Sequence, residues 1–555
     1  MKRCYIALFL LATACSGNLI TITDDAVKDS DKAEDDGGIT TVDGTVAVMF
    51  SEDGAQVSGD VWGIVAVDGN KVTVTNTTEQ QLTYELSGTA SDGFFKLYSN
   101  VKQIISLNGL NLTNPDGAAI NNQSHKYTSV VLSGDNFLAD GSVNPSGDYA
   151  GETSDEDMKA AFFSEGQLIF SGEGSLTVTA TGKAGITSDD YILVGGTPSI
   201  SISSASGHGL RGKEKVSVEG GSTTISVAGT GKKGITTDGD YLQSGGAVII
   251  KSSSPAGTVD GELTGAAGIK ADGTFTIDGG SLEISVSGTG AKGISCDGEG
   301  HFNGGTVNVA ATGSNYGNSG SGSHGGPGGW GGWGGGSSSD SSSKAAKGIK
   351  FEGNLYFDGS DVTASASSHE AIESKGTISI SAGNISASSS DDAINSGSDM
   401  TVTGGNIYAV SSGNDGLDAN GNMYIKGGYV YAVGSGSPEL GLDANTEGGY
   451  RLYISGGSLM AFGGVESGAS ITQAVVNVSS WTSGASYSLY DGDTLLLEFT
   501  APSRGGNGIV ISHPSLVSGS SYTLRSGSSS ASLTASLSAG SSWGGGGQPG
   551  RPGWH

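Results

Sequence analysis

Asp391-Asp392-Ala393-Ile394-Asn395-Ser396-Gly397, followed by a glycine pair at Gly404-Gly405, returns as Asn414-Asp415-Gly416-Leu417-Asp418-Ala419-Asn420, followed by Gly427-Gly428. In both copies the glycine pair lies ten residues beyond the Ile or Leu. The same phrase (a small residue, then Ile or Leu) marks Ile186, Leu210, Ile235, Ile269, Ile294, Ile349, Ile372 and Leu442. The markers are 22–25 residues apart, except for two longer intervals that contain insertions. Glycine pairs keep the same phase at Gly220-Gly221, Gly245-Gly246, Gly279-Gly280 and Gly304-Gly305. Glycine supplies the positive φ of a sharp corner. Between markers, apolar residues alternate, as in Phe275 and Ile277, then Leu282 and Ile284. Period two means strand. Short strands, glycine corners and a repeat of this length make each unit one coil of a solenoid, whose core becomes continuous only by stacking. The expectation is an all-β parallel β-helix over residues 39–470, less regular at its N-terminal end.

Stacking turns sequence spacing into geometry, because equivalent residues of successive coils lie about 4.8 Å apart. Counting from the marker, His369, Asp391, Asn414 and Glu439 sit three residues before it, and Glu370, Asp392 and Asp415 two before. Glu373, Asn395, Asp418 and Asp443 sit one after. Carboxylates at that separation repel by about 1 kcal/mol in water and about 3 kcal/mol at an effective dielectric near 20. From Glu370 onward these columns contain no Lys or Arg. A hard cation with about six to eight oxygen ligands offsets such repulsion, and Ca²⁺ suits flexible carboxylate sites. In the earlier coils Asp272 and Asp297 lie three after the marker, with Lys233, Lys270, Lys292 and Lys347 close by. That half reads as a lysine–acid ladder or as a second cation row through Asp272 and Asp297. Tyr408 and Tyr431, and Tyr356 and Tyr424, fall on outward positions. Such rings form a platform for sugar faces or stack across strands to stiffen the sheet.

Composition sets the outer bounds. The 555 residues include 56 acids against 27 bases, a net charge of −29. This argues against nucleic acid and anionic lipid surfaces, which need basic patches. Residues 1–15 read as a bacterial lipoprotein signal: Met1-Lys2-Arg3, a short apolar run, then Ala12-Thr13-Ala14-Cys15. Cys15 is then the lipidated residue, Cys4 is lost, and only Cys296 remains, which leaves no internal disulfide. The expected product is exported and anchored in a membrane by that lipid alone, at a bacterial cell surface. Residues 16–38 read as an acidic linker. Residues 313–343 read as a disordered Gly/Ser/Trp-rich insertion, 471–527 as a strand-rich cap over the last coil, and 528–555 as a disordered tail.

The phrases Lys-Gly-Ile-x-x-Asp-Gly and Asp-Gly-Leu-Asp-Ala-Asn-Gly, with the glycine pair ten residues on, resemble the calcium-binding parallel β-helix carbohydrate-binding proteins. These are fold relatives of the pectate lyases, described as binding pectic acid and cellulose. Ile105-Ser106-Leu107-Asn108-Gly109-Leu110-Asn111-Leu112-Thr113 is similar to the family's early coils, and the likeness covers about residues 39–527. The resemblance implies a right-handed helix, Ca²⁺ on the coil edges at Asp391, Asp392, Asp415, Asp418 and Asp443, and acidic polysaccharide ligands. Three functions follow as expectations: Ca²⁺-dependent, non-catalytic binding of an acidic plant glycan such as polygalacturonate; a polysaccharide lyase; or a structural adhesin. Residues 369–443 offer only Lys375 and Lys426 as a lyase base, which disfavours the second.

Overall fold

A computed structural model describes residues 38–39, 41–153, 156–317 and 343–539. Cys15 with the leader, the linker apart from Gly38, most of the 313–343 insertion and residues 540–555 lie outside these. The described residues are all β, without a helix.

Each coil has three faces. The marker residues form one, a sheet of fifteen strands that ends in Ile349–Phe351, Ile372–Ser374, Ile394–Ser396, Leu417–Ala419 and Leu442–Ala444. Ile294, Ile349, Ile372, Ile394, Leu417 and Leu442 are successive partners in parallel register. The long interval between Ile294 and Ile349 is therefore a single step, with the insertion leaving the coil between them. The other long interval, Ile235 to Ile269, is also one step; its extra residues form an antiparallel hairpin, Gly257–Val259 with Glu262–Thr264. The second face carries strands such as Phe275–Ile277 and Met400–Val402, and the third Ser281–Val286 and Asn406–Ser411. In several coils these two run together through a register break, as in Ile378–Ser389.

The core is the inward column of every face. Ile294, Phe302, Val307, Ile372, Ile378, Ile385 and Leu417 are all fully buried. Tyr241 stacks on Phe275 at 4.9 Å, and Phe302 on Phe357 at 5.0 Å, so aromatic residues also line up coil over coil. The small residue before each marker has a packing cause: a Cβ on Gly293 would collide with the Val309 side chain across the coil. Ala371 and Ala393 take the same place, fully buried. At the corners the second glycine has the left-handed backbone, with φ of 78° at both Gly405 and Gly428. Cys296 is buried and donates to the Gly273 carbonyl at 3.0 Å, and burial pushes its thiol up to about 11.

The last coil is closed by antiparallel strands. Gly506–Ser512 pairs with both Leu452–Phe462 and Val475–Trp481. A four-stranded sheet, Ser486–Asp491, Thr494–Thr500, Ser521–Ser526 and Ser529–Thr534, completes the cap. Ser529–Thr534 corrects the expected boundary at residue 527: it pairs residue for residue with Ser521–Ser526 as an edge strand of the cap.

Candidate functional site

The acidic edge lies on the marker face, where alternation aims residues one after the marker outward and the coil stacking lines them up. Glu373, Asn395, Asp418 and Asp443 are direct neighbours in register. The bridge between Leu442 and Val465 extends the column by one coil to Glu466, which the repeat did not reveal because the marker phrase is lost there.

The structure divides this edge in two. At its start, Lys347 reaches one coil forward to Glu370 at 2.9 Å and Glu373 at 2.5 Å, and Lys375 also pairs with Glu373. His369 bonds Glu370, and Asp391 at 3.1 Å. Glu370 and Glu373 are therefore corrected: they are neutralised rather than base-free. The columns lack a base only from Glu370 onward, and the Lys347 stem one coil earlier is long enough to span one strand spacing. Burial raises the Glu370 carboxyl, but the His369 hydrogen bond and the Lys347 charge outweigh it and bring it down to about 2. His369 is desolvated too, yet Asp391 and Glu370 lift it to about 9, so at neutral pH it is a cation. His369, Glu370 and Asp391 lie close enough to share a metal ion, but they already hold two positive charges. Asp157, Glu165 and Asp189 form a similar group, with Lys159 bonding both aspartates.

Beyond this point no base pairs with the ladder among the described residues. Asp392 and Asp415 are each only 5 % exposed. Asp392 accepts from the Asp415 amide at 2.9 Å and from Asn395 at 3.1 Å, and Asn395 also donates to Asp418 at 2.7 Å. Asp415 accepts from the Leu440 amide. Desolvation, then neighbouring carboxylates, push Asp418 up to about 8; desolvation also dominates at Asp392 and Asp415, which rise to about 7 and about 8. Asp443 rises to about 9 through desolvation and a hydrogen bond to Glu466. A row of hard oxygen donors held partly protonated is what a divalent cation would displace protons from. The set fits Ca²⁺ in its chemistry: carboxylates of adjacent coils with the Asn395 amide between them.

Asp272 and Asp297 both bond Lys270, at 2.6 Å and 2.7 Å. The lysine–acid ladder describes them, and the second cation row does not.

The aromatic candidates separate as well. Tyr431 packs at a tilt against Phe462, ring centroids 4.9 Å apart, and donates to the Thr500 carbonyl at 2.9 Å, so the cap covers it and its contacts are internal. Tyr408, at 46 % exposed, leans on Tyr429 and Tyr431 at the rim of the cap. On the second face Tyr356 stacks on His301 and Tyr424 on Tyr453, each at 4.9 Å. Register places Ser379 and Thr401 between Tyr356 and Tyr424. Two flat steps thus flank a short polar gap, about 14 Å apart at three strand spacings. If sugars stack on them, Tyr356→Ala and Tyr424→Ala each weaken glycan binding by about 0.5–1.5 kcal/mol, seen by calorimetric titration, while Tyr431→Ala changes stability instead.

Parallel coils, an apolar core and one charged edge define a β-solenoid of roughly fifteen turns. Residues 68–416 match the family described as carbohydrate-binding domain-containing protein; this is more than half of the chain, which belongs to that family. Asp418, Asp443 and Glu466 lie beyond the matched stretch. Among solved structures, the polysaccharide lyase-like protein from C. thermocellum, as a gadolinium derivative, is similar over 46% of this chain and 96% of its own. The identity is 19% and the TM-score 0.34. No curated protein matches the sequence.

Proposed function

We propose that this chain binds an acidic polysaccharide such as polygalacturonate without cleaving it, and that Ca²⁺ held along Asp392, Asp415, Asp418, Asp443 and Glu466 bridges protein and glycan. The observation that carries the reading is this ladder of stacked carboxylates without a base, in a member of a carbohydrate-binding family. A polyanion approaching such an edge is repelled unless cations intervene. The two lysines near the ladder are both engaged, Lys375 with Glu373 and Lys426 over the Tyr424 ring at 4.7 Å. This favours binding over lyase chemistry, which needs a free base. The proposal includes export and anchoring through a lipidated Cys15, which places the solenoid at a bacterial surface.

The test is titration of the full chain with oligogalacturonate in Ca²⁺ and in chelator, beside an absorbance assay for unsaturated uronide. Binding that strengthens at least tenfold with Ca²⁺ and is lost in Asp418→Asn/Asp443→Asn, with no absorbance gain, is the expected result. Affinity indifferent to Ca²⁺ would refute the bridge, and a rising absorbance would make the chain a lyase.

A further inference from the structure

The protein is strongly acidic, yet two neighbouring columns of its marker face carry a run of bases. On the coils before Glu370, the positions two before the marker carry His208, Lys233, Ala267, Lys292 and Lys347. Those one after carry Arg211, Thr236, Lys270, Ser295 and Lys350. Most of these cations have partners. Arg211 pairs with Asp238 at 3.0 Å, Lys270 with Asp272 and Asp297, Lys350 with Glu352, and Lys347 with Glu370 and Glu373.

Lys233 and Lys292 differ. Lys233 gives its ammonium only to the Gly231 carbonyl, at 2.9 Å, and Lys292 makes no ion pair among the described residues. Both are half-buried. Lys232, Lys270, Asp272 and Lys344 surround Lys233, and Lys350, Lys347, Lys344 and Glu373 surround Lys292. Desolvation first, and these neighbouring ammoniums second, bring both lysines down to about 8. His208, which accepts from the Lys233 amide at 3.1 Å, is driven by burial to about 3 and adds no charge. Half-desolvated cations without counter-ions cost stability unless an anion is met there.

The chain also builds a rim beside them. Thr264 and Val259 of the hairpin lean on Gly231, two residues before Lys233. Tyr316 and the Lys344 backbone, joined by mutual hydrogen bonds of 2.8 Å and 3.0 Å, lean on Gly290, two residues before Lys292. Both additions to the coil, the hairpin and the base of the long insertion, thus stand on the same corner, each beside one of the two lysines.

We propose that Lys233 and Lys292 form a second subsite of the same glycan-binding protein, one that takes the anionic groups of an acidic polysaccharide directly, without Ca²⁺. It rests on the polysaccharide reading and extends it. The two lysines are two strand steps apart, about 10 Å, so they meet charges repeated along an extended chain and not one isolated anion. The net charge does not forbid this. Asp392 lies three coils beyond Lys292, about 14 Å away. That exceeds the screening length of about 8 Å at physiological salt, so the local field decides.

The test uses the full chain and its Lys233→Gln/Lys292→Gln variant, titrated in chelator at low salt. The probes are oligogalacturonate, a neutral cello-oligosaccharide of equal length and a DNA oligonucleotide. The wild type should prefer oligogalacturonate. The variant should lose that affinity about tenfold, its salt slope should fall by about two, and its melting curve should be unchanged or higher. Equal affinity in wild type and variant overturns the subsite, and so does DNA bound as tightly as oligogalacturonate. Wild type that binds only the neutral glycan, or the acidic one only with Ca²⁺, removes the subsite and leaves the polysaccharide reading standing. Wild type that binds no glycan under any condition removes both.

Discussion

Lys347→Met should destabilise the solenoid by about 3–5 kcal/mol, the loss expected when one partner of a buried ion pair is removed. Lys347 is the ammonium that both Glu370 and Glu373 share, and Glu373 is only 1 % exposed. Without it Lys375 still reaches Glu373, but Glu370 keeps only His369. Each coil of a solenoid is held by its neighbours, so the damage should be local at first. Amide exchange should accelerate in Ile349–Phe351 and Ile372–Ser374 before the rest of the marker face. The urea midpoint should fall, and adding Glu373→Gln should restore most of it, because the orphaned charge is then gone. A single variant as resistant to urea as the parent would contradict the neutralised start of the edge.

Without metal, the melting temperature should fall as pH rises from about 5 to about 8, and Ca²⁺ should restore it at the upper end. The sign follows from proton counting. Asp392, Asp415, Asp418 and Asp443 are raised to about 7, 8, 8 and 9. In the unfolded chain such groups release their protons near pH 4, so between those values the folded state binds more protons and loses stability as pH climbs. His369, raised to about 9, acts in the same sense above its unfolded value of about 6.5. Lys233 and Lys292, lowered to about 8, act oppositely, but only above that pH. A tenfold change in proton affinity is worth about 1.4 kcal/mol, so the four carboxyls dominate the neutral range. Asp415→Asn/Asp418→Asn should flatten the curve in chelator and blunt the response to Ca²⁺. A melting temperature independent of pH in chelator would mean that the ladder is solvated and unstrained.

The repeat of ten markers was enough to place the coils, their register and the inward columns. The reason is physical: in a stack of parallel strands, equal spacing along the chain becomes vertical adjacency, so Ile372, Ile394 and Leu417 must touch. The candidate site was legible to the same depth. Asn395, Asp418 and Asp443 meet because they share a column, as do Asp392 and Asp415 in the column beside it, Tyr356 with His301, and Tyr424 with Tyr453.

What sequence could not decide is which partner a long side chain chooses. Lys347 and Lys270 each have a flexible stem longer than one strand spacing, so carboxylates of the next coil come within their reach and packing between coils sets the pairing. For that reason Glu370 and Glu373 moved from the candidate cation row to an ion-pair network. Glu466 was invisible because its coil breaks the marker phrase and joins the column only through the Leu442–Val465 bridge. Tyr431 reads as an exposed ring until Thr500, distant in the chain, folds over it. Sequence alone thus determined the solenoid and where acids accumulate along it. Only the tertiary structure separated acids already matched by lysines from those still without a counter-charge, because that depends on reach and burial rather than on spacing.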